Sequence, residues 1–351
     1  MIDPFSGPIL AIDVGAGTQD VLIYDPAQEP ENCVKLVLPS QTQLVGRRIQ
    51  AATAAGRAVH LSGPLMGGGA SSSAAASHLA AGLPLSATPG AARTLHNDLA
   101  RVAAMGVTVR DDPPLDAVVV PTGDVDLAAL ETALTPFGVA IPGVIAIAVQ
   151  DHGFRPGSGS NAVRFEYLQG LLAEGGDLTQ MIYRQPPAAM TRMAAVHGAI
   201  PGAVLMDTGA AAVLGALGDP RIARAAAAGG AILVNVGNMH TFATLIRGRR
   251  LYGLFEHHTG GITPELIGKL VGLLQTGDLV PERFQESFNG HGAALDPAYR
   301  GIAPFSFIAV TGPRRRLAQS LGYYEAAPHG DMMLTGPWGL VEGVRLLARR
   351  D

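Results

Sequence analysis

Two glycine-rich turns contain the residues of this chain that are best suited to chemistry. The first is Asp13-Val-Gly15-Ala-Gly17-Thr18, and the second is Asn235-Val-Gly237-Asn238-Met-His-Thr241. Glycine leaves room for a ligand to approach the backbone, and the N–H groups of such a turn are natural donors to phosphate oxygens. Asp13 could hold a metal ion through water, and Thr18 offers a hydroxyl group. On spacing alone, the alternative is a plain glycine hairpin with an acidic residue, which is a common pattern.

Two other segments end or begin at residues with functional side chains. Asp207-Thr-Gly-Ala-Ala-Ala opens a run of helical character, and Phe307-Ile-Ala-Val-Thr311-Gly312 is an apolar strand that ends in a glycine turn. Asp207-Thr-Gly209 also matches the triplet of aspartic proteases. A pepsin-like chain of this length should carry two triplets, whereas this sequence has one, and the alanines after it favour a helix. We therefore set proteolysis aside.

Several of the ten histidines stand beside glycine turns or strand ends, where α/β folds place functional groups. Those predicted to converge near a cleft are His152, His257, His258 and His291. The carboxylates beside them would suit metal binding or proton transfer. No pair shows the helical His-x-x-x-His spacing, so a cleft-lining role is favoured over metal ligation, and both alternatives stay open.

The elements around the two glycine turns repeat each other. Ile9–Val14, Thr18–Asp25 and Cys33–Leu38 are predicted strands of one antiparallel meander. A similar series of strands runs from Ala231 to Phe255, with Asn235-Val-Gly237 in the place of Asp13-Val-Gly15. The pattern predicts a duplicated α/β fold in which the two turns hold equivalent positions.

Size and composition exclude several classes of function. With 351 residues, 48% of them hydrophobic and 15% charged, the chain can bury one large or two medium cores and is not disordered. A formal charge of −4 gives no electrostatic case for nucleic-acid binding. Every alanine-rich run is interrupted before it reaches membrane-spanning length, and no signal-peptide pattern is evident. No membrane association is therefore predicted, and a cytoplasmic location is the simplest expectation.

The first turn resembles the phosphate-1 motif of the actin, sugar-kinase and heat-shock ATPase (ASKHA) superfamily, in which an Asp-x-Gly hairpin grips nucleotide phosphates. Asn235 to Ile246 looks like phosphate-2, and the segment that starts at Asp207 resembles the alanine-rich segment that precedes it. Phe307 to Gly312 resembles the adenosine motif. The motifs follow the order of that superfamily through both halves of the chain. The resemblance implies an α/β fold of two duplicated ribonuclease H-like domains that face each other across a nucleotide cleft.

The resemblance also assigns roles to individual residues. It implies ATP or ADP with Mg²⁺ as ligands, and Asp13 and Asp207 as catalytic residues that also hold the metal. The nucleotide would be bound by Gly15, Gly17, Thr18, Gly237, Asn238, Thr241, Thr311 and Gly312. The expected domains are residues 1–180, with phosphate-1, and residues 181–351, with the phosphate-2-like and adenosine-like motifs.

More narrowly, four short segments resemble an uncharacterised prokaryotic family that is named for pyruvate formate-lyase activation. These segments are Asp151-His-Gly-Phe154, Asn235-Val-Gly-Asn238, Glu256-His-His-Thr-Gly260 and Gly290-His-Gly292. Glycyl-radical activases need three cysteines around an iron–sulfur cluster, and Cys33 is the only cysteine of this sequence. We therefore reject radical-activase chemistry for this chain.

Two departures from the superfamily pattern bear on activity. Phosphate-2 normally starts with Asp, and the neutral Asn235 supplies no charge to hold Mg²⁺ or to orient water. Pro313 stands where a second glycine is usual. Three hypotheses stay open: a Mg²⁺-dependent phosphotransferase or ATPase with an unknown acceptor, a nucleotide-responsive binding module without turnover, and a metal-binding enzyme that uses the loop histidines. A small-molecule or protein partner is expected beside the nucleotide.

Overall fold

The computed structural model describes residues 7–159, 161–299 and 305–349. The strands of these ranges, in chain order, are β1 Ile9–Val14, β2 Thr18–Tyr24, β3 Val34–Pro39, β4 Val59–Ser62, β5 Leu85–Ala87, β6 Thr108–Val109, β7 Val118–Pro121, β8 Val144–Val149, β9 Ile182–Tyr183, β10 Val204–Met206, β11 Ala231–Val236, β12 His240–Arg247, β13 Arg250–His258, β14 Gly292–Leu295, β15 Phe307–Thr311 and β16 Tyr324–Glu325. The α-helices are α1 Gln41–Ala54, α2 Gly69–Ala80, α3 Pro89–Ala92, α4 Leu99–Ala104, α5 Leu127–Leu134, α6 Ala162–Ala173, α7 Thr191–Ala199, α8 Thr208–Ala216, α9 Pro220–Ala228, α10 Pro264–Thr276, α11 Phe284–Phe288 and α12 Thr335–Ala348. Among the described helices, none is long and apolar enough to cross a membrane.

The first sheet has six strands in the order β3-β2-β1-β8-β10-β9. β1, β2 and β3 form an antiparallel meander, and β8 and β10 continue the sheet parallel to β1. β1 lies at the centre, and its residues from Ile9 to Ile12 are fully buried. An antiparallel meander followed by two parallel strands is the topology of the ribonuclease H fold.

The second sheet repeats this topology in the order β14-β13-β12-β11-β15-β16. β11, β12 and β13 form the meander, β15 and β16 are the two parallel strands, and β14 is added at the edge. The register is the same in both hairpins, since Asp13 faces Asp20 and Asn235 faces Phe242. The predicted α/β fold with two duplicated ribonuclease H-like units is therefore confirmed.

A third sheet lies between β3 and β8 in the sequence and was not predicted. It has four parallel strands in the order β6-β5-β4-β7 and a core of its own with α1 and α2. Arg192 fixes it to the first half, because its guanidinium donates to both oxygens of Asp124 at 2.8 and 2.7 Å. The same guanidinium donates to the carbonyl of Gln150 at 2.9 Å, which places the inserted unit beside the end of β8.

Two helices, α8 and α12, carry the chain from one half to the other and cross at glycines. A Cβ on Gly215 would overlap the carbonyl of Thr335, and one on Gly339 would overlap the carbonyl of Ala211. Because neither residue has a side chain, the two helix backbones pack directly against each other. α12 also packs on β1, and this brings its first turn to Asp13. β9 and β10, which follow residue 180, pair with the first sheet, and the domain division at residue 180 remains a proposal.

Candidate functional site

The first glycine turn is fixed by hydrogen bonds within the hairpin and from the start of α1. Gly15 N–H donates to the carbonyl of Thr18 at 2.9 Å, which closes the hairpin. The carbonyl of Ala16 accepts hydrogen bonds from the Ser40 hydroxyl at 3.0 Å and the Gln43 side-chain amide at 3.1 Å. Both residues belong to the start of α1, so this helix fixes the position of the turn.

The second glycine turn has the same geometry and faces the first. Gly237 N–H donates to the carbonyl of His240 at 2.9 Å, as Gly15 does to Thr18. A Cβ built on Gly17 would lie 2.5 Å from Nδ2 of Asn238 and 3.0 Å from its Cγ. The structure therefore brings together, at the junction of the two sheets, the predicted residues Gly15, Gly17, Thr18, Gly237 and Asn238.

Asp13 and Asp20 form a carboxylate pair across the first hairpin. The Oδ1 atom of each is buried, with no hydrogen-bond partner among the described residues. Burial raises the pKa of Asp13 well above its usual value, and the charges of Asp20 and Asp207 raise it further. Burial also raises the pKa of Asp20 to about 7, although a hydrogen bond from Thr18 opposes this shift. Two buried carboxylates with unused oxygen atoms are a donor set that fits a hard cation such as Mg²⁺.

Asn235 occupies in the second hairpin the position that Asp13 has in the first. Its Oδ1 atom is buried and finds no partner within the described ranges. Gly312, with a φ of +99°, lies so close that a Cβ there would overlap this oxygen. Thr311 is buried beside it, and its hydroxyl is 3.1 Å from the Thr335 hydroxyl at the start of α12. Thr311 and Gly312 thus lie at the second turn.

Thr241 does not present its hydroxyl to the turns. The residue is fully buried, and its Oγ1 lies 3.0 Å from Oγ1 of Thr259. This hydrogen bond is made inside the second half, between the start of β12 and the segment after β13. Thr241 therefore stabilises the second hairpin through a hydrogen bond within the second half and does not line the space between the two turns.

Asp207 belongs to a buried ion-pair network that joins the two halves. Its carboxylate caps α8 by accepting the Gly209 N–H at 2.9 Å, and its two oxygens accept hydrogen bonds from Arg164 at 2.5 and 3.0 Å. Arg164 Nε donates to Glu256 of β13 at 3.0 Å. Burial alone would raise the pKa of Glu256, but the charge of Arg164 lowers it to about 2. Asp207 was predicted as a Mg²⁺ ligand, and in the structure its charge partner is a guanidinium.

Four histidines from four separate segments converge beside the second turn. His152 follows β8, His240 begins β12, His258 ends β13 and His291 precedes β14. The ring centroid of His291 is 4.5 Å from that of His240 and 3.9 Å from that of His258. The His152 ring lies 5.7 Å from His240 and 5.8 Å from His291. Burial lowers the pKa of His152, His240 and His291 to about 4, so these rings are neutral at neutral pH.

His257 was predicted to join this group and does not. Successive side chains of a strand point to opposite faces, so His257 lies on the other side of β13 from His258. Its ring nitrogens lie 2.9 Å from the His258 carbonyl and 2.8 Å from the Phe288 carbonyl. His257 is thus a buried residue whose ring is hydrogen-bonded to backbone carbonyl groups. The fourth histidine of the cluster is His240, which was not among the predicted four.

The sequence prediction missed Asp20, His240, Arg164 and Glu256 as site residues. A signal existed for Asp20, because a turn closed between Gly15 and Thr18 places Asp20 opposite Asp13. The position of His240 beside the second turn was a similar signal. No local signal existed for Arg164, because its two partners are distant in the sequence and meet it only in the folded chain.

Two ribonuclease H-like sheets with paired glycine hairpins define the fold of the ASKHA superfamily, and the predicted resemblance is confirmed at the level of fold. A family model described as "Putative pyruvate format-lyase activating enzyme (DUF1786)" matches residues 66–317. This match covers well over half of the chain, and the chain belongs to that family. The single, buried Cys33 does not fit a three-cysteine iron–sulfur cluster, so no radical step is derived from the family description.

The chain is also similar to several solved structures. The ethanolamine utilization protein EutJ from Carboxydothermus hydrogenoformans is 11% identical, over 95% of this chain and 88% of that chain, with a TM-score of 0.29. A ROK family glucokinase from Streptomyces griseus, in complex with glucose and AMPPNP, is 10% identical over 98% of this chain and 100% of that chain, with a TM-score of 0.32. A chain of the PilM–PilN type IV pilus biogenesis complex is 11% identical, over 97% of this chain and 98% of that chain, with a TM-score of 0.38. No curated protein matches the sequence significantly.

Proposed function

We propose that this protein binds ATP or ADP with Mg²⁺ at the junction of its two halves. The observation that carries the proposal is the pairing of two equivalent glycine turns, in which Gly17 and Asn238 are in direct contact. Each turn supplies backbone N–H groups beside glycines, which carry no Cβ that would obstruct a phosphate. Hairpins related by duplication offer such groups from two opposite sides.

The residues present fit this ligand. The unused oxygens of Asp13 and Asp20 would hold Mg²⁺, which neutralises phosphate charge when it is bound. Backbone N–H groups at Gly17 and Asn238 would bind phosphate oxygens. Asp207 acts indirectly, because it fixes Arg164, which ties the first half to Glu256 of the second.

We further propose that hydrolysis is slow or absent, so that the protein acts as a nucleotide-responsive binding module. A neutral amide at Asn235 cannot supply the second charge that would position a metal ion and an attacking water. Binding through backbone N–H groups does not depend on that charge. The acceptor or partner that responds to the nucleotide is a small molecule or a protein.

Isothermal titration of the full chain with ATP–Mg²⁺ and ADP–Mg²⁺ tests the proposal. In thermal unfolding, nucleotide at about a hundred times its dissociation constant should raise the free energy of unfolding by roughly 2.7 kcal/mol. Asp13→Ala should weaken binding in the presence of Mg²⁺ and leave the fold intact. Asp111→Ala, an exposed residue of the inserted unit, is the matched control. Absence of binding at millimolar nucleotide, or equal binding by Asp13→Ala, would contradict the proposal.

A further inference from the structure

The histidine cluster contains a set of nitrogen atoms with the spacing of metal ligands. One ring nitrogen from each of His240, His258 and His291 lies within 4.8 Å of the other two. His258 Nδ1 and His291 Nε2 are only 3.1 Å apart. The three residues come from different strands or strand ends of the second half, so the fold rather than a local motif brings them together.

A relay of side chains fixes the tautomer of His240. Gln150 Nε2 donates to Glu256 Oε1 at 2.5 Å, so the amide oxygen of Gln150 is directed to Nδ1 of His240. His240 therefore donates its Nδ1 hydrogen to Gln150, and its Nε2 atom is left as a lone-pair donor. Ligating histidines in metal sites are held in the same way, by an outer partner on the nitrogen that does not bind the metal.

His291 also has an outer partner. Its Nδ1 lies 2.8 Å from the amide nitrogen Nδ2 of Asn161, the residue before α6. An amide nitrogen only donates, so metal binding requires the Asn161 amide group to turn by 180°. Its oxygen then accepts the Nδ1 hydrogen, and His291 Nε2 becomes the ligand atom. Nε2 is the atom that faces His258. In this orientation Nδ1 is hydrogen-bonded to Asn161 and Nε2 is directed to the other ligands, as a metal site requires.

We propose that His240, His258 and His291 bind a first-row transition-metal ion of the Zn²⁺, Co²⁺ or Ni²⁺ class. Imidazole nitrogen suits these ions, whereas Mg²⁺ prefers the oxygen donors of the Asp13 pair. His258 is exposed, so the ion has an open coordination position toward solvent, as in three-ligand catalytic sites. His152 lies beside the ion as a neighbour. The site is independent of the proposed nucleotide binding.

Metal loading of the full chain, purified without a histidine tag and treated with a chelator, tests this proposal in the absence of nucleotide. Zn²⁺ should bind with a stoichiometry of one ion per chain, measured by elemental analysis and titration calorimetry. Co²⁺ should give a ligand-field spectrum with nitrogen donors. His258→Gln and His291→Gln should lower the affinity by at least about a hundredfold, and Asn161→Ala by about 10–100-fold through its effect on His291.

His329→Gln, which changes an exposed histidine outside the cluster, is the matched control and should bind metal like the parent. His152→Gln should also retain the ion. Because His258 is exposed, its replacement should leave the circular dichroism spectrum unchanged. Substoichiometric metal in the parent, or parent-like affinity in His258→Gln, would overturn the site. Loss of metal in His152→Gln would overturn the three-ligand set.

Discussion

The Asn238 side chain lies against the Cα of Gly17, and this contact is where the two halves of the proposed nucleotide site meet. A Cβ at Gly17 would lie 2.5 Å from Nδ2 of Asn238. Asn238 is half-buried and sits at the tip of a turn, so its amide can move aside. The contact therefore limits the shape of the site more than it limits the stability of the fold.

Gly17→Ala should lower the affinity for ATP–Mg²⁺ by about tenfold, or 1.4 kcal/mol, because the displaced Asn238 amide enters the space between the turns. The cost in unfolding free energy should stay below about 1 kcal/mol, since only a side-chain end has to shift. Titration calorimetry and urea unfolding measure the two effects. Gly143→Ala, at an exposed glycine with open space around it, is the control. If Asn238→Ala fails to restore binding in the Gly17→Ala background, the proposed collision is not the cause.

Asn235→Asp should raise the rate of ATP hydrolysis if the remaining site is competent. The new carboxylate would stand where Asp13 stands in the first hairpin, and it would supply the missing charge for a positioned metal ion. Steady-state phosphate release is the measurement, with Asp13→Ala as the blank. Rapid turnover by the parent would show that another carboxylate already serves this purpose, and the binding-module proposal would fall.

The sequence predicted the strands of the site more completely than its side chains. Ile9–Val14 was predicted at its observed bounds, because a short apolar run before a glycine turn is a strong local signal. The pairing of Asp13 with Asp20 needed the hairpin register, and the exclusion of His257 needed the alternation of faces along β13. The contacts of Arg164 depend on the packing of both halves, which no local pattern records. The inserted parallel sheet was missed for the same reason, since its order is set by tertiary pairing.

Without metal, the stability of the parent should fall as the pH rises from about 4 to about 7. The pKa of Asp20 is raised from 3.8 to about 7 in the folded state, with Asp13 and Asp331 as its acidic neighbours. The folded state therefore binds a proton that the unfolded state has already lost, and this stabilisation disappears above the folded pKa. Asp20→Asn is neutral at every pH, so it should be more stable than the parent at pH 8 by on the order of 2–4 kcal/mol and equal to it near pH 4.

Thermal or urea unfolding in buffers with chelator, at pH values from 4 to 8, measures this difference. Asp111→Asn, which changes an exposed carboxylate, should follow the parent curve. If Asp20→Asn and the parent show parallel curves, the carboxylate is already ionised in the folded state and the inferred proton is absent.

Replacement of Arg164 should destabilise the protein far more than replacement of an exposed arginine. Arg164→Met leaves Asp207 and Glu256 buried without their counter-charge, and breaking a buried pair in this way costs about 3–5 kcal/mol. Arg155→Met is the matched control, because Arg155 pairs with Glu166 at 2.6 Å on the surface, where solvent screening leaves such pairs with little effect on stability. Urea unfolding measures both. The triple variant Arg164→Met, Asp207→Asn, Glu256→Gln should recover part of the loss, because it removes the stranded charges. Equal destabilisation by Arg164→Met and Arg155→Met would show that the network does not hold the two halves together.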